Sequence, residues 1–69
     1  MKLSAKNQLK GTIKSIKKGA VNAEVEIELT PGMIVSSIIT ISSLEHLGLK
    51  TGQTAYAVIK ATNVMIGVD

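Results

Sequence analysis

Apolar and polar residues alternate through most of the chain, a period of two that predicts half-buried strands. From Leu9 onward, Leu9, Gly11 and Ile13 share one side and Lys10, Thr12 and Lys14 the other. Val21 to Leu29 alternates without a break, with Val21, Ala23, Val25, Ile27 and Leu29 inward and Asn22, Glu24, Glu26 and Glu28 outward. Lys17-Lys18-Gly19-Ala20 reads as the turn between them, with Gly19 free to take a positive φ. The two strands should form an antiparallel hairpin. Setting Lys14 against Glu24, Thr12 against Glu26 and Lys10 against Glu28 also sets Ile13 against Val25 and Leu9 against Leu29, so charged and apolar pairs sort together.

Thr30-Pro31-Gly32 has the residues of a tight turn. Met33 to Ile41 follows as a third strand, apolar on both faces: Met33, Val35, Ile39 and Ile41 on one, Ile34 and Ile38 on the other. A strand buried on both sides needs a cover on each, and in so small a chain the second cover is another subunit. Ser42 to Gly48 reads as one or two helical turns, opened by a capping Ser and closed by Gly48, with Leu44 and Leu47 plugging the base of the core. Thr54 to Lys60 is a fourth strand, with Ala55, Ala57 and Ile59 on one face and Tyr56, Val58 and Lys60 on the other. Val64 to Val68 is a short fifth. The expected fold is all-β: one domain over residues 1–69, a five-stranded OB-like Greek-key barrel with one short helix.

Size and composition narrow what such a barrel does. A chain of 69 residues with 45% hydrophobic content and no Cys has no disulfide to staple it, which leaves oligomerisation as the way to hide its apolar surface. His46 alone cannot make a metal site, and no Ser is accompanied by the base and orienting group of a nucleophilic catalyst, so no catalytic residue is assigned. Glu24, Glu26 and Glu28 read as a solvated strand face. No apolar run approaches a membrane span, and the start carries no signal-peptide h-region; the expected location is cytoplasmic. The net charge is +3, and six of eight Lys fall in the first eighteen residues. OB-type domains often bind single-stranded nucleic acid, but through aromatic platforms. One Tyr with no Phe or Trp makes nucleic acid the second reading.

A small oxyanion asks for less: N–H and O–H donors, one or two cations and no nearby carboxylate. Ser4-Ala5-Lys6-Asn7-Gln8 offers this near one end of the chain and Lys60-Ala61-Thr62-Asn63 near the other. Ser43, at a helix start, could add a hydroxyl. Lys17-Lys18-Gly19-Ala20-Val21 is a second candidate, a Gly turn with exposed backbone N–H groups.

Four stretches in series resemble the molbindins, the small molybdenum-pterin-binding or Mop family: Ser4 to Gly11, Lys17 to Val25, Leu47 to Gly52 and Ala57 to Ala61. The resemblance runs over nearly the whole chain. It implies a non-enzymatic domain that binds molybdate, and usually tungstate, for storage or buffering. It also implies a hexamer, a trimer of dimers, with oxyanions held at subunit interfaces. By motif match one class of site uses Ser4, Lys6, Ser43, Lys60 and Ala61, the last through its backbone N–H, with Thr62 beside them. A second class uses Lys18, Gly19, Ala20 and Val21. No residue is implied as a direct ligand of the metal. Where the family usually carries Arg, this chain has Lys6, which keeps the charge but not the planar fork of donors.

Overall fold

The structure, a computed structural model, describes all 69 residues. Its four strands are β1 (Asn7–Lys18), β2 (Asn22–Thr30), β3 (Met33–Thr40) and β4 (Thr54–Ile59), with helix α1 (Ile41–Leu47) between β3 and β4 and one 3-10 turn, Ala61–Asn63, after β4. The strands make one antiparallel sheet in the order β3-β2-β1-β4. Its concave side carries the core: Ile13, Ala23, Val25, Ile27, Leu44 and Ala57 are buried. The period-two pattern thus placed Ala23, Val25 and Ile27 of β2 inward correctly, and of the two faces it gave β4 the one with Ala55, Ala57 and Ile59 is the inner.

The fifth strand does not form. Residues 64–69 have no regular structure, and Met65, Ile66 and Val68 are each about 90% exposed (92%, 88% and 93%). A strand needs an edge, and this tail pairs with none in its own subunit. The barrel therefore stays open between edge strands β3 and β4. An apolar groove of about 430 Å³ lies there, floored by Ile13, Val25 and Ile27 and walled by Ile39, Ala55 and Tyr56.

The hairpin register also differs from the expected one. Thr12 faces Glu28 and Ile13 faces Ile27; then a bulge at Lys14 shifts the pairing, so that Ser15 faces Glu26, Ile16 faces Val25 and Lys17 faces Glu24. The extra residue bends β1. It leaves one ion pair, Lys14 Nζ to Glu28 Oε2 at 3.8 Å, while Ser15 Oγ donates to Glu26 at 2.7 Å. Lys10 faces Tyr56 on β4, not Glu28. Because of this offset Val21 falls outside β2 and is 70% exposed, and Gly19 has no positive φ.

Turns and caps follow side-chain chemistry. Gly32 takes φ 85 after Pro31, the conformation a Pro-Gly turn requires. Thr40, not a Ser, caps α1: its Oγ1 accepts from Ser43 N–H at 3.0 Å. Gly48 closes the helix in the left-handed region, as expected. Leu44 plugs the core, but Leu47 is largely exposed and borders the groove.

Gly11 sits where β1 passes closest to β2. A Cβ there would lie 2.6 Å from the Glu28 carbonyl oxygen and 2.7 Å from Ile27 Cγ2. The first is backbone and cannot rotate away. Gly11→Ala is expected to cost about 1–3 kcal/mol, as overpacking does. For a domain of this size that lowers the melting temperature by about 5–20 °C, measured by circular dichroism.

Candidate functional site

The antiparallel ladder of β1 and β4 ends at the pair Asn7 and Ile59. The chain just before Asn7 and the chain just after Ile59 therefore leave the sheet side by side. Between them is an open hollow of about 350 Å³ lined by Ser4, Ala5, Lys6, Lys60, Ala61 and Thr62. Two segments far apart in sequence are thus joined by strand pairing alone, and five of the six residues expected at the first site line one hollow.

Its donors suit an anion. Lys6 and Lys60 bring two ammonium groups, neither of them ion-paired. Ser4 and Thr62 bring hydroxyls. The hydrogen bonds of the 3-10 turn begin with Asn63 N–H to the Lys60 carbonyl at 2.8 Å, so the N–H groups of Ala61 and Thr62 precede the first internal bond, as at any helical start. No carboxylate lines the hollow. All the lining residues except the half-buried Ala5 are exposed in the single subunit. The side chain of Lys60 is therefore open to solvent in the single subunit.

Ser43 is elsewhere. It lies in the first turn of α1, where Thr40 Oγ1 donates to its Oγ at 2.9 Å. Thr40 pairs with Asn22 at the start of β2, beside the end of β1 opposite the hollow. Within one subunit Ser43 does not join the other five residues.

The second expected set is split. Lys18 and Gly19 line a shallower hollow of about 460 Å³ with Lys17, Asn22, Ala23, Glu24 and Ile38, whereas Ala20 and Val21 are not part of it. The Gly19 N–H already donates to the Asn22 carbonyl at 2.7 Å, and the Glu24 side chain brings negative charge to this hollow. As an anion site within one subunit it is poorer than the first.

Asn7 and Gln8, counted with the donor-rich lead, do not line the first hollow. Asn7 Nδ2 donates to the Ile59 carbonyl at 3.2 Å and Gln8 Nε2 to the Ala5 carbonyl at 2.8 Å. No group of three or more His, Cys, Asp or Glu is placed to hold a metal ion, and no helix is long and apolar enough to cross a membrane.

Comparison with known proteins identifies the family and the fold. Residues 3–66 match the TOBE domain family. A probable molybdenum-pterin-binding protein of Haemophilus influenzae is 49% identical over 69 residues, covering all of both chains. Among solved structures, MopII from Clostridium pasteurianum superposes with a TM-score of 0.90 at 48% identity, over 97% of this chain and 100% of that one. The cytoplasmic molybdate-binding protein ModG, solved with molybdate bound, superposes with a TM-score of 0.92 at 51% identity, over all of this chain and 49% of that one. A single hollow of paired donors, a curled four-stranded sheet with one short helix, and half-identical relatives along the whole length lead to one assignment: this chain is a TOBE-domain protein of the molybdenum-pterin-binding, or Mop, family.

Proposed function

We propose that the chain binds molybdate, and tungstate with it, at interfaces between its own subunits, as a cytoplasmic store or buffer of the oxyanion and not as an enzyme. The observation that carries this is the hollow between residues 4–6 and 60–62, with two free ammonium groups, two hydroxyls, unpaired backbone N–H groups and no carboxylate. A tetrahedral dianion uses all of these donors and asks nothing else of the site. The interface reading is supported by two further points. The hollow is open on one side in the single subunit, and Ser43, expected at the site, lies away from it within one subunit, so only another copy's Ser43 could join it. Tungstate enters because it has nearly the size and charge of molybdate, and donors of this kind do not separate the two. The hexamer remains the expected assembly, supported by the exposed apolar residues of β3, β4 and the tail. The hollow around Lys18 and Gly19 is a second binding place only if assembly brings further donors to it and draws Glu24 away.

Molybdate at about 100 times its dissociation constant is expected to stabilise the folded protein by about 2.7 kcal/mol. That raises the melting temperature by roughly 10–20 °C. Scanning calorimetry with molybdate, tungstate and a single-stranded oligonucleotide in parallel tests it. The oligonucleotide should bind weakly and lose its affinity in moderate salt. Salt-resistant oligonucleotide binding with no response to molybdate would put a nucleic-acid role in place of this one.

Lys6 gives a finer test. Its ammonium is a strongly hydrated point charge on a flexible stem, whereas Arg presents two parallel N–H donors to two oxygens of one anion. A hydrogen bond to a charged group contributes about 1.5–3 kcal/mol. Lys6→Ala is therefore expected to weaken molybdate binding by about one to two decades, and Lys6→Arg to keep or tighten it several-fold. Titration calorimetry at fixed salt reads both, and equal affinities in all three proteins would make Lys6 a solvated surface charge.

A further inference from the structure

The hollow is made by two segments that both lie beyond the end of a β-ladder. The last rung joins Asn7 to Ile59, with Ser4, Ala5 and Lys6 before it and Lys60, Ala61 and Thr62 after it. Past a last rung the backbone loses its ladder partners, and segments of that kind open readily. Donors meant for one small anion must nevertheless face each other at a fixed spacing. Two neutral side chains stand where that spacing is set, and neither lines the hollow.

Gln8 Nε2 donates to the Ala5 carbonyl oxygen at 2.8 Å, which holds the plane of the Ala5–Lys6 peptide. This peptide is trans, as all are in the chain, so its N–H points opposite to its carbonyl. Turning the Ala5 carbonyl to Gln8 thus turns the Lys6 N–H the other way, and that N–H meets no protein acceptor. Asn7 Nδ2 donates across the last rung to the Ile59 carbonyl at 3.2 Å, fixing the backbone one residue before Lys60. The two bonds thus anchor both walls of the hollow. They also occupy two carbonyl oxygens at its border, whose negative ends would otherwise be free to turn toward an oxyanion.

We propose that Asn7 and Gln8 are positioning residues of the oxyanion site, which act on the backbone on either side of it and never touch the ligand. This rests on the molybdate-binding reading above. The test compares the full chain, Gln8→Met and Asn7→Leu, substitutions that keep the bulk and remove the donor, with Lys60→Ala as a control. Molybdate is titrated by calorimetry at several salt concentrations. Each amide variant should bind about five- to tenfold more weakly, the worth of one hydrogen bond. Both should keep the wild-type salt slope, because both lysines remain, and Gln8→Met should keep the unliganded melting temperature and sedimentation coefficient. Lys60→Ala should flatten the salt slope. Wild-type affinity in Gln8→Met, or an affinity loss matched by an equal loss of unliganded stability, overturns the positioning role. If the wild type binds molybdate and Lys60→Ala weakens it, while both amide variants bind as the wild type does, this inference alone falls. If the wild type does not bind molybdate at all, the reading of the site and this inference fall together.

Discussion

Replacing Lys60 by Ala is expected to lower molybdate affinity by about one to two decades, as the loss of a charge-assisted contact of about 1.5–3 kcal/mol dictates, and to leave the oligomer assembled. Lys60 stands between the last residue of β4 and the 3-10 turn, with extended backbone at φ −61 and ψ 134. It is held at the mouth of the hollow by the strand on one side and the turn on the other. Its side chain makes no ion pair within the subunit, so removing it breaks no contact that the fold needs. The surface expected to be covered on assembly is the apolar one of β3 and β4, and a charged Lys60 adds nothing to that apolar contact. Calorimetry for affinity and sedimentation for assembly separate the two effects. A Lys60→Ala protein that binds normally would make this lysine a solvated strand end and would move the site elsewhere.

The other large effect is on assembly. Sedimentation at micromolar concentration should show no major monomer, because one subunit leaves Ile38 71%, Met33 57% and Ile34 38% exposed along β3, with Tyr56 and Val58 each 44% exposed on β4. Burying an aliphatic side chain is worth about 1.5–3 kcal/mol, and a two-fold contact counts each residue twice. Replacing Ile34 and Ile38 together by Ser should therefore remove several kcal/mol from such an interface and release smaller species. A wild-type chain that sediments as a stable, folded monomer would contradict the interface reading and with it the place given to Ser43.

The first four strands and the inward residues of β2 from Ala23 to Ile27 were legible because the period of two is strong there, and in β4 the same period separated the two faces. The hairpin register was not. Shifting an antiparallel pair by two residues keeps every side chain on its own face, so several registers sort Lys against Glu equally well. A sign of the bulge was present: Ile13 and Ile16 are both turned to the core, three residues apart, which a regular strand does not allow. The tail misled for a different reason. Its alternation is that of a strand, but alternation does not name a partner, and Val64–Val68 pairs with neither open edge of its own subunit. The site was legible as two donor-rich segments because they flank strands that pair. Ser43 was legible by chemical type only, since its place relative to the hollow depends on how copies meet. Asn7 and Gln8 stood out only as two amides of the donor-rich lead and were not assigned to the site. What could have separated them is their position, since a side chain at the first residues of a strand has unpaired carbonyls within reach.

In the proposed oligomer, the open edges of β3 and β4 would couple folding to the amount of protein present. Each edge presents a row of unpaired N–H and C=O groups, and the groove between them leaves core residues such as Ile13 and Ile27 with apolar space on one side. A chain whose surfaces are completed only by other copies has a melting temperature that rises with its own concentration. Dilution of such an assembly would act as a denaturant does. Newly made chains in a cell that holds few of them would be the most vulnerable to proteases, and their survival would rise with each further copy made.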